Sequence, residues 1–260
     1  MYPDLFGISG FSMTFMIIVG VVAASILLFV YLHKRGTSSN QFLDLSIVIV
    51  ATVFVGVVFA ILVENVYEAI KHSVQGEPQA WTWGMTFYGG LAGGIPTFLL
   101  MYKYYYLKHG EPVLKNIVII APACITLGHA FGRIGCFLDG CCYGKPTTSW
   151  IGVKFPLLPE PVIPTQLIES AFLFLLTGIL LMLVLVFKFK YTFIVYLGSY
   201  SIFRFIIEFF RGDDRGNFLG IFSPSQVWSM FIWVIIVPFF FVLKKLVFVE
   251  KKPDDKEQNN

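Results

Sequence analysis

The amino-acid sequence predicts an all-α integral membrane protein with about seven transmembrane helices and a small extracytoplasmic loop region. Three observations lead to this fold class. Hydrophobic residues make up 57% of the 260 residues and charged residues only 13%, which lies outside the usual range of soluble domains. Several apolar runs reach the roughly 20 residues that a helix needs to cross a bilayer. Lysine and arginine are also distributed unevenly between the loops that join these runs.

Seven apolar runs give the order of the predicted helices. The first run has no basic residue before it and is longer than the apolar core of a signal peptide, so we expect a retained helix. The fourth and sixth runs contain polar clusters and differ most from simple lipid-facing helices. The predicted spans are Phe11–Leu32, Leu43–Tyr67, Gly84–Met101, Asn116–Phe137, Leu167–Phe187, Thr192–Phe210 and Val227–Val247.

Basic residues determine the predicted orientation, because cytoplasmic loops are enriched in lysine and arginine. An outer N-terminus places 12 of the 19 basic residues on the inner side, and two of the other seven, Arg133 and Arg204, are expected within the bundle. We therefore predict an N-out/C-in topology, with one polytopic transmembrane domain over residues 1–249 and a polar cytoplasmic tail over residues 250–260. Three segments then share the extracytoplasmic side: the residues after Arg133, Lys145–Pro164 and Arg211–Ser223.

Charge and cysteine usage exclude several classes of protein. The net charge of +3 and the lack of a basic patch with interleaved aromatic residues argue against a nucleic-acid partner. The four cysteines do not have zinc-ligand spacing, since no second CxxC or HxxxH pair accompanies them, and they are too few for a disulfide scaffold. The sequence implies no metal and no organic cofactor.

The stretch Gly128–Gly144 places polar groups directly after an apolar run, where lipid disfavours them. Arg133 is flanked by glycines in this stretch. Its planar fork of donors matches a phosphate, and glycines let a backbone or a ligand approach closely. Because Asp139 and three cysteines follow, we favour a site that lines an internal cavity over an arginine that reaches lipid headgroups. For His129 we favour a structural role.

Two other groups of residues have simpler interpretations. Tyr88 lies in a glycine-rich segment, residues 87–94, whose spacing alone favours close helix packing. Gln166 and Glu169 follow Pro164 near the outer start of the fifth helix, and their residue types alone favour capping and solvation at the interface.

Arg204 and Glu208 are candidates for a charged pair in the sixth helix. They are four residues apart, so they share one helix face. Two interpretations remain open. The pair is either purely structural, because buried charges need partners, or Arg204 joins Arg133 in a two-pronged clamp for an anion.

Six segments in order resemble the prolipoprotein diacylglyceryl transferase family of bacterial membrane enzymes. Each motif alone is weak, but their shared order covers most of the chain. The segments and the family motifs they resemble are Phe87–Leu91 (FHGGL), Gly132–Gly140 (GRIGNFxNGE), Gly152–Pro156 (GVxFP), Pro164–Glu169 (HPTQLYE), Arg204–Arg211 (RFxxExxR) and Ser225–Gln226 (GQ).

The resemblance implies seven transmembrane helices with an outer N-terminus. It also implies transfer of the diacylglyceryl group of phosphatidylglycerol to the lipobox cysteine of a prolipoprotein, with release of glycerol phosphate. This is the first step of lipoprotein maturation. The expected partners are therefore phosphatidylglycerol and prolipoprotein signal peptides. The expected location is the bacterial cytoplasmic (inner) membrane, with the catalytic site towards the extracytoplasmic face.

The resemblance also assigns site residues, matched motif by motif. Arg133, Arg204 and Tyr88 are the expected catalytic residues, with the two arginines neutralising charge on the leaving phosphate. The expected substrate-binding residues are Gly89, Gly90, Gly132, Cys136, Asp139, Gly140, Cys141, Gln166, Glu169, Glu208 and Arg211.

The chain departs from the family pattern at three places. Tyr88 replaces a histidine, Cys136 an asparagine, and Cys141 ends the segment that reads NGE in the family. Three interpretations of the cysteines remain open: they are disulfide-bonded, they are buried as small apolar groups, or one of them accepts a lipid. We favour a disulfide between Cys136 and either Cys141 or Cys142. Two alternative functions follow from these departures: a paralogue with another acceptor, or a non-catalytic phospholipid-binding membrane protein.

Overall fold

A computed structural model of the protein describes residues 11–75, 87–109, 113–156, 158–212 and 222–245, without the side chains at positions 71, 72, 74, 75, 87, 88 and 91. Seven α-helices contain most of these residues, and the described part of the chain has only isolated β-bridges outside them. The helices are α1 (Phe11–His33), α2 (Ser39–Gln75), α3 (Phe87–His109), α4 (Leu114–Asp139), α5 (Thr165–Leu185), α6 (Thr192–Ile207), which continues into a 3-10 turn (Glu208–Phe210), and α7 (Pro224–Leu243).

Six helices, α1, α2 and α4 to α7, are long and apolar enough to cross a membrane. Large apolar side chains cover their outer faces, and Phe54 and Val234 are 68% and 73% exposed. Exposure of such an apolar surface to water is unfavourable, whereas contact with lipid tails is not. In the bilayer a helix also satisfies the hydrogen bonds of its own backbone. The prediction of an all-α integral membrane protein is confirmed.

The predicted third span, Gly84–Met101, overlaps α3 but begins outside the described residues. α3 extends to His109 and is not among the six membrane-crossing candidates. Its second half is rich in tyrosine and lysine, which lowers its mean hydropathy. The count of seven spans and the N-out orientation therefore stay predictions. The predicted tail, residues 250–260, also lies outside the described residues.

The chain divides into two compact units, one of which is Leu32–Val113. In this unit α2 and α3 pack through glycines. A Cβ atom on Gly93 would lie 2.6 Å from the Cβ of Phe59, and one on Gly56 would lie 3.2 Å from the carbonyl oxygen of Gly90. The close helix packing favoured for the glycine-rich segment 87–94 is thus present at two of its glycines. The single-domain prediction for residues 1–249 stays a prediction.

The second unit, Met1–Tyr31 with Leu114–Asn260, contains α4 to α7 and most of α1. α1 crosses α4 where Gly20 meets Gly128, since a Cβ atom on Gly20 would lie 2.8 Å from the Gly128 carbonyl oxygen. α5 is tied to α4 by buried hydrogen bonds, including one of 2.9 Å from Ser170 Oγ to the Ala130 carbonyl. These contacts bring the polar faces of α4 and α5 together.

α7 begins three residues before its predicted start, because a capping box defines its first turn. The Ser223 hydroxyl accepts a hydrogen bond from the Gln226 backbone N–H, and the Gln226 side chain accepts one from the Ser223 N–H. Pro224 occupies the first helical position, where its missing N–H has no cost. Ser225 follows immediately and faces α6, as its contact with Arg204 described below establishes.

Candidate active site

Three ionised side chains from α4, α5 and α6 meet inside the second unit. Glu169 is 1% exposed, and its Oε2 atom lies 3.1 Å from Arg133 Nε and 3.9 Å from Arg204 Nη1. A carboxylate buried to this degree needs cationic partners to offset the loss of its hydration. The capping role that residue type favoured for Glu169 is therefore not what the structure has. Glu169 lies between the two arginines.

The other carboxylate oxygen of Glu169 contacts two residues to which the sequence analysis gave no functional role. The Tyr200 hydroxyl donates a 2.9 Å hydrogen bond to Glu169 Oε1, and His129 Nε2 lies 3.8 Å from the same atom. His129 precedes Arg133 by four residues and Tyr200 precedes Arg204 by four, so each shares a helix face with its arginine. This four-residue spacing is the sequence signal that connects each of them to its arginine.

Arg204 forms the ion pair expected from its spacing to Glu208. Its Nη2 atom lies 2.8 Å from Glu208 Oε2 and donates a 3.0 Å hydrogen bond to Ser225 Oγ at the start of α7. Arg204 thus links α6 to α5 and α7. Its guanidinium is held in one orientation by groups from three helices.

Two buried guanidinium nitrogen atoms in this cluster can each still donate a hydrogen bond. Among the described residues, Arg133 Nε and Arg204 Nη1 have no aligned hydrogen-bond acceptor, although both are within ion-pair distance of Glu169. Beside Arg133, a Cβ atom on Gly132 would meet no described atom within 4 Å. Buried donors without acceptors are costly, so an entering anion with several oxygens would gain hydrogen bonds here.

The end of α4 folds back on itself in a Schellman motif. The Cys141 N–H donates to the Cys136 carbonyl at 3.1 Å and the Gly140 N–H donates to the Phe137 carbonyl at 3.2 Å. Gly140 has φ of +80°, which glycine adopts without a Cβ penalty. This geometry brings the backbone of Cys141 over Cys136, one turn beyond Arg133.

A small set of backbone hydrogen bonds brings Arg211 to the same place. Gly144 pairs with Ile163 on one side, and Lys145 N–H donates to the Phe210 carbonyl on the other. A Cβ atom on Gly144 would lie 2.7 Å from the carbonyl oxygens of both Ile163 and Phe210, so only glycine fits between them. Residues 140–144, which follow α4, are called the cysteine loop. Arg211 comes directly after the 3-10 turn, pairs with Gly144 and contacts Cys142 in this loop.

Three thiols converge in the cysteine loop. The Sγ atoms of Cys136, Cys141 and Cys142 all lie within 4.8 Å of one another, and no disulfide joins any of the four cysteines. The favoured disulfide is therefore absent from the structure. Hydrogen bonds from Cys136, Cys141 and then Arg211 lower the pKa of the Cys142 thiol. Hydrogen bonding to Cys136 and Cys142, with burial, raises the pKa of Cys141.

The other predicted site residues divide into two groups. In the unit that contains Arg133, Gln166 is buried and donates from Nε2 to the Cys141 carbonyl, while Asp139 is the last residue of α4. Gly89 and Gly90 lie in the other unit, in the first turn of α3. Tyr88 is part of the same turn, but its side chain lies outside the described residues.

These features define a class of protein: a helical membrane protein that holds two arginines around a buried carboxylate, beside a loop of polar and thiol groups. The family model described as "Prolipoprotein diacylglyceryl transferase" matches residues 5–242. The chain belongs to this family. The resemblance drawn from the six motifs is confirmed, and so is the prediction that the chain is a transferase enzyme.

Bacterial relatives support this assignment over most of the chain. A phosphatidylglycerol–prolipoprotein diacylglyceryl transferase of Clostridium tetani is 36% identical over 241 residues, which cover 89% of this chain and 92% of the relative. A second enzyme of that name, from Clostridium perfringens, is 34% identical over 238 residues, or 89% of this chain and 90% of the relative. One from Chlorobaculum tepidum is 38% identical over 154 residues, covering 55% of this chain and 50% of the relative.

Proposed function

We propose that this chain transfers the diacylglyceryl group of phosphatidylglycerol to the lipobox cysteine thiol of prolipoproteins and releases glycerol phosphate. The observation that carries the proposal is the convergence of Arg133 and Arg204 on Glu169, with a buried donor on each arginine that lacks an aligned acceptor. The names of the relatives support the two substrates. The reaction would take place at the extracytoplasmic face of the bacterial cytoplasmic membrane.

The transfer is a displacement at the glycerol carbon that carries the phosphate. The acceptor sulfur, as a thiolate, forms a bond to that carbon, and the bond between the carbon and the phosphate oxygen breaks. The electron pair leaves with the oxygen, so the phosphodiester monoanion becomes a phosphate monoester with a second negative charge. Donors that are placed before the reaction at the oxygens where this charge develops lower the barrier.

Arg133 and Arg204 are suited to this role, because guanidinium groups stay charged and donate in parallel to phosphate oxygens. Glu169, Glu208 and Ser225 position Arg204, and Glu169 positions Arg133. Tyr200 and His129 act on the arginines through Glu169. These five residues are positioning residues, whereas the two arginines would contact the phosphate.

The remaining expected residues keep their proposed roles. Tyr88 would orient the phosphate or the acceptor thiol, at the position where the family motif has histidine. Gln166 and Arg211 would shape the loop side of the site, since both contact the cysteine loop directly. The other proposed substrate-binding residues are Gly89, Gly90, Gly132, Cys136, Asp139, Gly140 and Cys141. Glu169 and Glu208, which the resemblance placed in the same group, would act on the substrate through the arginines.

The proposal is tested with purified protein in phosphatidylglycerol vesicles and a lipobox peptide, followed by peptide mass and glycerol phosphate release. We expect a thioether adduct that carries one diacylglyceryl group. Arg133→Lys, which keeps the charge but loses the fork, should lower the rate about 10²–10³-fold, as removal of a preorganised donor does. Exposed Arg35→Lys is the matched control and should transfer at the wild-type rate.

Two results would contradict the proposal. Transfer to another acceptor but not to the lipobox thiol would favour the paralogue. Phosphatidylglycerol binding that depends on Arg133, without any transfer by folded protein, would favour the non-catalytic lipid-binding protein.

A further inference from the structure

The cluster of Cys136, Cys141 and Cys142 is not explained by phosphate binding. Cys136 is buried, whereas Cys141 and Cys142 are partly exposed, so one side of the cluster is accessible. Cys136 also follows Arg133 by three residues on α4, so the cluster lies one helical turn from the proposed phosphate site on the same helix face.

The backbone holds the three sulfurs near one another before any ligand arrives. The Schellman motif fixes Cys141 relative to Cys136, and Cys142 has φ of +63°. Two hydrogen bonds from α5 fix the loop from the other side: Thr165 Oγ1 donates to the Cys142 carbonyl at 2.9 Å and Gln166 Nε2 donates to the Cys141 carbonyl. Both α5 side chains are 1% exposed, so these bonds are shielded from water.

This arrangement has the chemistry of a site for a thiophilic metal ion. Thiolates bind soft or borderline ions such as Zn²⁺, and with Zn–S bonds of about 2.3 Å two sulfurs on a tetrahedral ion lie roughly 3.8 Å apart. The three sulfurs already lie within 4.8 Å of one another, so small side-chain rotations suffice. Three thiolates on a divalent ion carry a net charge of −1, which Arg211 and Arg133 would offset.

We propose that Cys136, Cys141 and Cys142 bind a thiophilic divalent ion of the Zn²⁺ type through three thiolates, and that its fourth position takes the acceptor thiol. This inference rests on the proposed function. Catalytic zinc sites commonly have three protein ligands and one open position, whereas structural sites have four. The accessible side of the cluster provides that position. A metal would thus supply the activation of the acceptor thiol, which needs to become a thiolate to react.

The proposed step balances without any redox change. The acceptor thiol forms a metal–sulfur bond and gives its proton to water on the accessible side, because a coordinating thiol is deprotonated. The bound sulfur then forms its bond to the glycerol carbon as the carbon–oxygen bond breaks towards Arg133 and Arg204. The thioether product is a weak ligand and leaves the metal. All three cysteine ligands are unchanged at the end.

Metal content and spectroscopy test the site without any need for transfer. Protein purified with reductant should hold one Zn²⁺ per chain by elemental analysis, and chelated protein titrated with Cd²⁺ should develop thiolate-to-metal charge-transfer absorption. Cys142→Ser, a near-isosteric change at a partly exposed position, should abolish both signals. Cys124→Ser, three turns earlier on α4, should leave both unchanged. Equal metal content in wild type and Cys142→Ser would overturn the proposal, as would metal-free wild type that binds no Cd²⁺.

A second arm tests the open position. Chelated protein reloaded with Co²⁺ should change its visible absorption when a lipobox peptide is added, but not with the same peptide carrying serine in place of cysteine. No change with the thiol peptide would overturn the role of the fourth position. Chelated protein that transfers at the full rate would also overturn it while leaving the proposed function intact. Failure of the proposed function is separate: it is absence of transfer by protein that holds its metal.

Discussion

Tyr200 donates a 2.9 Å hydrogen bond from α6 to Glu169 on α5, and Glu169 in turn lies 3.1 Å from Arg133 on α4. A neutral hydroxyl, a carboxylate and a guanidinium from three helices are thus joined in a series. Because the carboxylate is shared, a change at Tyr200 alters the environment of Arg133 on α4.

Glu169→Gln should destabilise the protein and nearly abolish transfer. Removing one charge from a buried ion pair leaves the other uncompensated, at a cost of roughly 3 kcal/mol. Here two arginines lose their common partner. Thermal unfolding in detergent and the transfer assay measure the two effects. Glu160→Gln, an exposed change of the same kind, serves as the control, and equal unfolding temperatures for the two variants would contradict the buried role of Glu169.

Tyr200→Phe should lower stability by about 1 kcal/mol, the usual net value of one hydrogen bond. It should also slow transfer without changing the apparent affinity for the peptide, since the hydroxyl acts on the arginines through Glu169. Tyr196→Phe is a matched control, because Tyr196 stacks on Tyr200 at 6.0 Å between ring centroids and has no hydrogen bond to Glu169. A rate for Tyr200→Phe equal to that of the control would argue against positioning through Glu169.

Gly144→Ala should separate the loop after α4 from the segment that carries Arg211. The added Cβ atom would lie 2.7 Å from two carbonyl oxygens, and overpacking of this kind typically costs about 1–3 kcal/mol. We expect lower thermal stability and faster alkylation of Cys141 and Cys142 as the loop opens. Gly178→Ala on α5 has no described atom within 4 Å of the new Cβ atom and should not destabilise. A stable Gly144→Ala variant with an unchanged alkylation pattern would be inconsistent with the close crossing.

Cys142 should be alkylated before Cys141 as the pH is raised. Hydrogen bonds from two thiols and Arg211 lower the pKa of Cys142, whereas the pKa of Cys141 is raised. The thiolate is the reactive form, so Cys142 modification should already be present below the pH of about 8.5 at which an ordinary cysteine is half ionised. Chelated protein treated with iodoacetamide and analysed by peptide mass gives the order. Modification of Cys141 before Cys142 would contradict the prediction, because it would show that Arg211 and the neighbouring thiols do not favour the Cys142 thiolate.

Residues that interact within one helix were the easiest part of the site to predict. Arg204 and Glu208 are four residues apart, and the structure pairs them at 2.8 Å. The same rule connects His129 to Arg133 and Tyr200 to Arg204, but a histidine and a tyrosine in apolar helices have common structural explanations. Their significance depends on Glu169, which comes from a different helix.

Contacts between segments that are far apart in the sequence could not be predicted from residue spacing. The cysteines lack the paired CxxC or HxxxH spacing of a zinc site, yet the Schellman turn at Gly140 brings three sulfurs together. Which residues lie opposite one another is decided by helix packing, such as the crossing of Gly20 and Gly128. The family resemblance indicated that Glu169 belongs to the site, whereas its residue type alone favoured capping and solvation at the interface.

The fold class could be predicted from the sequence, because it depends on the length and apolarity of every helix and not on particular contacts. A bilayer imposes length and apolarity on each helix, and six described helices satisfy both conditions. The number of spans depends on α3, whose tyrosines and lysines make it a borderline case.

Glu169 has a further consequence for turnover. In the resting enzyme its carboxylate serves as an internal counter-ion to Arg133 and Arg204. In the proposed reaction, a phosphodiester with one negative charge would share the arginines with Glu169 and would be held loosely. The leaving phosphate would acquire its second charge only as the bond breaks, and its attraction to the guanidinium groups would increase at that moment. Once the product departs, Glu169 would restore neutrality, and the site would return to its starting state without recruiting an ion from solution.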